Sequence, residues 1–477
     1  MKRVPAIAAI VLVVAAYAFF ATAGTFDFPR VSWDAPYPTG GGRLYASLAE
    51  GFRRGQLSLA YDPDPRLATL HDPYSMDERI QSGVFYVWDA SYFKGKYYIY
   101  FSPLPVLLFY LPYRVLRGAY PPDALPGAFF CAWSFLMIVL TTRRALAGRK
   151  LFVPLPVWIL LIGLGNLVPF SLNHMRVYQV AIVAGMAMSA TWAYALLRFL
   201  ETGAIRHAVW MGVWLALAIA ARPNLGIVLA IAPFVIPLRQ WRVWAAFIAP
   251  LALTAIALAA YNYARYRSLT EFGHLYQLTM VPMRGYHVCG IHNLAEVIRF
   301  FNNTMHYLSW PFAFRHEFPW IDLLKNHVDE AVSFPGSSDY MIGVGPLNPL
   351  TMIGTAAAAI LVFARRALDA GTRAGLWLIA GSWLILAGLA VCWYVLARYS
   401  LDFMMLMIGG AAIAIEAAFA YLAQARVAMR PLRAIAIALA CYGILIGTCM
   451  GFSGPYWDFK RENPALFEKL SSALTPG

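Results

Sequence analysis

Long apolar blocks constrain the fold of this chain more than any other feature of its sequence. Hydrophobic residues make up 60% of the 477 residues and charged residues only 13%, against roughly 45–50% and about 25% in soluble domains. A hydrocarbon layer of roughly 30 Å is crossed by about 20 helical residues, and most blocks reach or approach that length. Since the blocks lack the strict alternation of barrel strands, the sequence predicts an all-α polytopic membrane protein rather than a soluble enzyme.

The apolar blocks define the candidate spans. The first block follows Lys2-Arg3 and is longer than the apolar core of a signal peptide, which has about 7–15 residues. We therefore expect it to remain as the first membrane helix. The candidate spans are 4–23, 124–142, 151–172, 177–197, 207–221, 224–238, 243–263, 346–364, 374–396, 400–423 and 433–453.

The net charge of +14 comes largely from short Lys and Arg clusters between these blocks. Such clusters stay on the cytoplasmic side and orient the spans, so the charge does not predict nucleic-acid binding. The clusters alternate correctly if the proline-broken, aromatic stretch 97–113 is re-entrant or interfacial. We predict a multi-pass protein of a bacterial inner membrane with about eleven spans, twelve being the alternative.

This topology predicts a membrane domain over 1–453 with two large periplasmic loops, 24–98 and 264–345, and a periplasmic tail over 454–477. Both loops are expected to carry surface helices. In the first loop, residues 43–55 place Tyr45, Leu48 and Phe52 on one face and charged residues on the other. This pattern predicts an amphipathic helix on the membrane surface.

The five cysteines carry little information in the sequence. Four of them, Cys131, Cys392, Cys441 and Cys449, belong to apolar blocks, where cysteine behaves as a small hydrophobe. Cys289 is alone in its loop, so we expect neither a disulfide within that loop nor a cysteine-based zinc site.

Two carboxylates of the first loop are candidates for a general base. Asp34 follows the first span by about ten residues, and Asp89 lies in the aromatic stretch Trp88-Asp89-Ala-Ser-Tyr92. A carboxylate near the membrane surface can take the proton of an acceptor hydroxyl. The alternative for each is a loop aspartate that makes local turn hydrogen bonds.

Three arginines, Arg176, Arg222 and Arg398, fall at predicted outer ends of spans. Guanidinium groups bind phosphate bidentately, and Pro223 breaks the helix beside Arg222. Arg398 and Asp402 are four residues apart, so they can pair on one helix face. Interfacial arginines that reach lipid headgroups or close structural ion pairs are the alternative.

The sequence indicates no cofactor. Histidines of the second loop lack metal-ligand spacing, and a divalent metal is left open. Neither GxGxxG after a strand nor GxxxxGK[ST] is present. This disfavours an ATP-driven transporter and a donor site for soluble nucleotide-sugars.

Together these features resemble the GT-C superfamily of integral membrane glycosyltransferases, closest to the bacterial protein-mannosyltransferase and lipid A aminoarabinose-transferase type. The layout agrees over most of the chain, and the matching motifs are short. They are Tyr45-Ala-Ser-Leu-Ala49-Glu…Gly55-Gln-Leu, Asp89…Gly95-Lys96-Tyr97-Tyr98…Ser102-Pro103-Leu104-Pro105, Tyr261-Asn-Tyr-Ala-Arg265…Glu271-Phe-Gly273…Tyr276-Gln277 and Arg398-Tyr399-Ser-Leu-Asp402-Phe403.

The resemblance implies a polyprenyl-phosphate-linked sugar as donor, transferred with inversion to a periplasmic glycan, lipid or protein acceptor. An Asp of the first outer loop would be the base, and Asp34 is the positional match. Members often place an acidic pair before the Tyr of the surface helix, where this chain has Gly41-Gly42-Arg43-Leu44-Tyr45, so the base stays open between Asp34 and Asp89. Arg222, Arg398, Lys96 and Arg176 would bind the donor phosphate, and Trp88, Tyr97, Glu271 and His174 would contact the sugar or acceptor. Membrane lipids would surround the spans.

Two other classes of membrane protein remain as alternatives. An O-antigen ligase or polymerase also uses lipid-linked glycans and has a large late outer loop, but it needs no carboxylate in a long first loop. A flippase or carrier of a lipid or solute predicts paired broken helices in two related halves, and the sequence shows no such symmetry.

Overall fold

We describe the protein from a computed structural model, which describes residues 3–34, 43–284, 289–326, 339–364, 368–392, 394–454 and 458–475. The opening of the first loop at 35–42, part of the second loop at 327–338 and the arginine cluster at 365–367 lie outside these ranges. The described part is mostly helical, with five short strands.

The helices follow the apolar blocks along the chain. They are α1 Arg3–Ala21, α2 Leu44–Arg53, α3 Met76–Gln81, a π-helical turn Val106–Tyr110 continued by α4 Leu111–Arg117, α5 Ala124–Ala145, α6 Leu155–Leu164, α7 Val168–Asn173, α8 Val177–Thr202, α9 Ile205–Ala221, a 3₁₀ segment Pro223–Ile231 continued by α10 Ala232–Val235, α11 Trp241–Tyr266, α12 Leu294–Ser309, α13 Val344–Leu347, α14 Leu350–Phe363, α15 Ala370–Ala390, α16 Leu401–Gln424, α17 Met429–Met450, α18 Asp458–Glu462 and α19 Pro464–Leu474. The strands are β1 Ser91–Phe93, β2 Lys96–Tyr98, β3 Phe312–Phe314, β4 Ile321–Lys325 and β5 Tyr340–Met341.

Within the described residues, seven helices are long and apolar enough to cross a membrane: α1, α5, α8, α11, α15, α16 and α17. The chain is therefore a polytopic membrane protein, as predicted. The other four predicted spans fall on shorter apolar helices, Leu155–Leu164, Ile205–Ala221, Pro223–Val235 and Leu350–Phe363. The count of about eleven spans stays a prediction.

Small residues let the helices approach one another closely, as is common between helices in membranes. A side-chain carbon added at Gly212 of α9 would lie 2.2 Å from the carbonyl oxygen of Phe247 in α11. α8 and α16 form the centre of the bundle, since almost all of their apolar side chains are buried. α1 belongs to the same bundle, because the hydroxyl of Tyr17 donates to the carbonyl of Gly163 at 2.8 Å.

The two long loops form one layer over the same end of the bundle. The first loop contains the β1–β2 hairpin, in which Phe93 pairs with Lys96 across the Lys94-Gly95 turn. The backbone N–H of Asp89 donates to the carbonyl of Leu278 at 3.0 Å, and Ser91 Oγ donates to the carbonyl of Gly273 at 2.8 Å.

The second loop contributes a three-stranded antiparallel sheet, β3–β4–β5, and the helix α12. A disulfide joins Cys289, just before α12, to Cys392 at the end of α15. The expectation that Cys392 is only a small hydrophobe was therefore wrong, whereas Cys289 has its partner outside its own loop. Sequence spacing could not show this pair because 103 residues separate the two cysteines.

The predicted surface helix of the first loop has different surroundings from those expected. α2 lies within the predicted range 43–55, but residues 44–51 are all buried, so protein covers both faces of the helix. Glu50, on the face expected to be solvated, accepts hydrogen bonds from Arg53, Arg54 and Tyr120. The stretch 97–113 is a composite of β2, the π-helical turn and the start of α4.

The C-terminal segment 458–475 docks on the loop layer. Phe459 is buried against Phe19 and Phe452. Asn463 Nδ2 donates to the carbonyl of Ala23 at 2.9 Å, which brings this segment against the end of α1.

The opposite end of the bundle is rich in arginine. Arg144 and Arg198 bind Glu201 at 2.9 and 2.7 Å, and Arg149 pairs with Asp369. These pairs join the ends of α5, α8 and α15. This basic end of the bundle lies opposite the end that carries both loops.

Candidate functional site

A cavity of about 680 Å³ lies between the loop layer and the ends of the helices below it. Its polar lining comes from the loops, from the helix ends and from the C-terminal segment. Apolar side chains of α8, α9 and α11 line another part of the wall. The charged lining residues are Asp89, Arg176, Arg222, Arg265, Asp339, Arg398 and Asp458, and the apolar ones from these three helices are Ala181, Ile182, Ile219, Ala220, Ala221 and Leu258.

Asp89 is a nearly buried carboxylate in this wall, with 8% of its surface exposed. Its backbone has φ = 60°, a left-handed conformation that aspartate tolerates better than most residues. One carboxylate oxygen accepts a hydrogen bond from Gln277 Nε2 at 2.9 Å and the other accepts one from the hydroxyl of Tyr178. Burial raises the pKa of Asp89 above its ordinary value, and these two hydrogen bonds and the charge of Arg398 oppose that rise.

Arg222 is held by a buried carboxylate. Its Nη2 lies 2.8 Å from Asp402, whose side chain is fully buried and also accepts a hydrogen bond from Asn224 at 2.9 Å. Pro223, which starts the 3₁₀ segment, ends α9 and exposes the arginine to the cavity. The predicted pair between Arg398 and Asp402 does not form. Asp402 faces Arg222 from α16, whereas Arg398 belongs to the 3₁₀ turn Ala397–Ser400 that precedes this helix.

Arg398 is more loosely paired. Its nearest carboxylate oxygen, on Asp339 of the second loop, is 3.9 Å away. Its guanidinium lies over the rings of Tyr178 and Tyr399, 5.2 and 5.6 Å from their centroids, and that of Arg222 lies 5.0 Å from the Tyr399 ring. Two tyrosine rings therefore connect the Asp89 carboxylate to both guanidinium groups.

The two guanidinium groups keep unused donors. The Nε of Arg222 and the Nε of Arg398 are buried without a hydrogen-bond partner among the described residues. Buried polar groups are nearly always paired with protein or water, so each of these two cavity-lining arginines keeps a donor whose hydrogen bond is not made within the described protein.

His174 and Arg176 lie on the wall at the break between α7 and α8. His174 Nδ1 contacts the carboxylate of Asp458 from the C-terminal segment, and Arg461 Nη2 binds the same carboxylate at 2.6 Å. Arg176 forms no ion pair with any residue that the structure describes.

Six predicted residues come together in the cavity wall: Trp88, Asp89, His174, Arg176, Arg222 and Arg398. These residues, up to 310 positions apart in the chain, converge because the loop layer closes over the ends of α8, α9 and α16. The predicted residue Asp402 lies just behind this wall, where it forms an ion pair with Arg222.

The other predicted residues lie outside the cavity wall. Asp34 is exposed and accepts a hydrogen bond from the nearby Ser32 hydroxyl. Lys96 is exposed at the hairpin turn, and Tyr97 is buried in the packing of the first loop. Glu271 caps a local turn by accepting from the N–H groups of Gly273 and Leu275.

Sequence reasoning missed Tyr178, Asp339 and Asp458 as site residues. Tyr178 opens an apolar span, whereas the two carboxylates come from chain segments far from the other site residues. Gln277 and Arg265 were in the motifs that carry the resemblance but received no role. Arg265 donates to the carbonyl of Ile99 at 2.8 Å and so joins α11 to the first loop.

No three His, Cys, Asp or Glu side chains in the described part of the chain are grouped to hold a metal ion. In comparisons with known proteins, no family model and no curated protein matches this chain.

Proposed function

We propose that this protein is an inverting membrane glycosyltransferase that moves a sugar from a polyprenyl-phosphate donor to an acceptor hydroxyl. One observation carries the proposal: a single cavity joins a buried carboxylate and several arginines to a wall of apolar side chains from α8, α9 and α11. A polar headgroup on a long apolar tail matches both parts of this lining. A soluble polar substrate would have no use for the apolar part.

The donor phosphate is assigned to Arg398 and Arg176. Arg398 is held only at 3.9 Å by Asp339 and has an unpaired Nε, so a phosphate can replace its carboxylate partner. Arg222 is committed to the buried Asp402, which makes it a support for this site. The polyprenyl chain would extend along Ile182, Ile219 and Leu258.

The base is assigned to Asp89 rather than to Asp34, because Asp89 lines the cavity and Asp34 is exposed outside it. The acceptor oxygen bonds to the anomeric carbon while the bond from that carbon to the phosphate oxygen breaks. The hydroxyl proton passes to Asp89, and the bonding electrons leave with polyprenyl phosphate. Because burial raises the pKa of Asp89, its carboxylate is a stronger base than an exposed one.

The site is assigned to the periplasmic side of a bacterial inner membrane. The basic end of the bundle is opposite the loops, as expected if that end is cytoplasmic. The Cys289–Cys392 disulfide belongs to the loop end, and disulfides persist mainly in oxidising compartments.

The decisive experiment compares Asp89→Asn with Asp34→Asn in purified protein in lipid nanodiscs. The substrates are a panel of decaprenyl-phosphate-linked radiolabelled sugars, with membrane lipids and periplasmic glycans as acceptors. We expect transfer by the wild type, a loss of about 10²–10⁴-fold in Asp89→Asn and near-wild-type transfer in Asp34→Asn. The opposite ranking would move the base to Asp34, and movement of an intact labelled donor across vesicles without cleavage would make the protein a carrier.

A binding measurement tests the donor assignment without knowledge of the sugar. Native mass spectrometry should show decaprenyl phosphate bound to the wild type and decaprenol bound more weakly. Arg398→Gln should remove that preference for the phosphate. Equal binding of the alcohol and the phosphate by the wild type would contradict the phosphate site.

A further inference from the structure

The C-terminal segment carries an acidic side chain into the cavity wall. Asp458 begins α18 and is 5% exposed, and it contacts Nδ1 of His174. The segment is fixed in place by the buried side chains of Phe459 and Phe467 and by the hydrogen bond from Asn463 to Ala23. Both His174 and Asp458 line the cavity.

A carboxylate at Nδ1 has a defined chemical consequence for an imidazole. It fixes the ring orientation and tautomer. Nε2 is then the nitrogen through which the ring exchanges a proton with a ligand. Although burial works in the other direction, the hydrogen bond and charge of His174 lower the pKa of Asp458, so this carboxylate is ionised beside the ring.

The charged groups around His174 place it near the proposed phosphate site. Asp339, the partner of Arg398 at 3.9 Å, also interacts electrostatically with His174. Arg176 and Glu462 complete the charged surroundings of this pair, and Arg461 binds Asp458. His174 and Arg398 are therefore both close to the carboxylate of Asp339. This places the imidazole on the same side of the cavity as Arg398.

We propose that His174 is the general acid for the leaving phosphate and that Asp458, supplied by the C-terminal segment, is its positioning residue. The inference rests on the proposed function and assigns a second proton-transfer group to the same site. When the bond between the anomeric carbon and the phosphate oxygen breaks, the electron pair stays on that oxygen. The proton of His174 Nε2 passes to it, and Asp89 takes the proton of the acceptor hydroxyl, so charge and protons balance.

The test uses four variants of the full-length protein: His174→Ala, His174→Gln, Asp458→Asn and, as a matched control, Glu468→Gln. Glu468 is exposed on α19 of the same segment. We expect His174→Ala to lose about 10²–10⁴-fold in turnover, and added imidazole to restore part of it. Imidazole should not help His174→Gln, because the glutamine side chain fills the space of the ring.

Asp458→Asn should lower kcat at least about tenfold with little change in KM for the donor, since the ring remains but its orientation is lost. His174→Ala should also lose the fall in activity at high pH that a required protonated acid produces. Glu468→Gln should match the wild type in rate and pH profile.

The outcomes separate this inference from the proposed function. If the wild type transfers no sugar from any polyprenyl-phosphate donor, the proposed function fails. If the wild type transfers sugar while His174→Ala and Asp458→Asn keep near-wild-type turnover, the acid assignment fails. The assignment is equally overturned if both variants are inactive but imidazole restores nothing and the pH profile of residual activity is unchanged, because the pair would then be structural.

Discussion

Gln277 Nε2 donates a 2.9 Å hydrogen bond to the carboxylate of Asp89, 188 positions earlier in the chain. Each residue comes from one of the two long loops, and the backbone beside them is paired as well, with Asp89 N–H bonded to the Leu278 carbonyl. The proposed base is therefore oriented by contacts between the loops. This relationship leads to the first prediction.

Gln277→Leu should move the fall in activity at low pH to higher pH. The Gln277 hydrogen bond stabilises the ionised carboxylate and so opposes the rise in the pKa of Asp89 that burial causes. Without it the pKa rises further, and the ionised base is lost at a higher pH as the solution is acidified. The measurement is the pH profile of kcat/KM. Gln81→Leu, at an exposed position of α3, is the control, and an unchanged acid limb in Gln277→Leu would contradict Asp89 as the base.

Arg222→Gln should destabilise the protein more than Arg398→Gln. Removing Arg222 leaves the fully buried Asp402 without its 2.8 Å partner, and breaking a buried pair in this way costs about 3–5 kcal/mol. Arg398 and Asp339 are 3.9 Å apart and each about a quarter exposed, a geometry that contributes at most about 1 kcal/mol. Thermal unfolding in detergent measures the difference. The double variant Arg222→Gln/Asp402→Asn should be more stable than Arg222→Gln alone, and equal melting of the two single variants would refute the distinction.

Replacing Cys289 and Cys392 together by serine should lower the free energy of unfolding by about 2–4 kcal/mol, because the link ties α12 to the end of α15. Thermal unfolding with and without reductant reports the change, and reductant should affect only the wild type. Cys441→Ser, at an exposed position of α17, is the control. Recovery of free thiols at both 289 and 392 in protein isolated without reductant would show that the link does not form in the cell.

Ser82→Cys should react with a membrane-impermeant maleimide in intact spheroplasts, whereas Ala147→Cys should react only after lysis. Both positions are exposed, the first in the loop layer and the second at the basic end of the bundle. The background for both is a Cys441→Ser protein, since Cys441 is exposed. Labelling of Ala147→Cys before lysis would reverse the proposed orientation.

Local sequence patterns were sufficient for the helices and for part of the site. Apolar block length predicted membrane helices, because the bilayer thickness sets how many residues a span needs. The prolines of 97–113 predicted an interrupted element instead of a continuous span, since their backbone restrictions act within a few residues. Arg222 and Arg398 were singled out because charges at the ends of apolar blocks are unusual, and Asp89 because it lies in an aromatic stretch of the first loop.

The pairing of those charges could not be predicted in the same way. Helical spacing predicted Arg398 with Asp402, but Asp402 binds Arg222, 180 positions away. Spacing decides only which residues share a face of one helix, and the partner across a bundle depends on how α9 and α16 pack. The proposed choice of Asp89 over Asp34 likewise depends on the cavity, because Asp89 lines it and Asp34 is exposed outside it.

The sequence by itself determined that this chain is a polytopic membrane protein of apolar helices, and it predicted two long polar loops at one end of them. These properties depend on hydrophobicity and backbone restrictions that act locally. Only the tertiary structure decided that Gln277 faces Asp89, that Cys289 bonds Cys392 and that Asp458 of the C-terminal segment contacts His174. Each of these contacts joins residues that are far apart in the chain, and such contacts form only after the helices have packed and brought their connecting segments together.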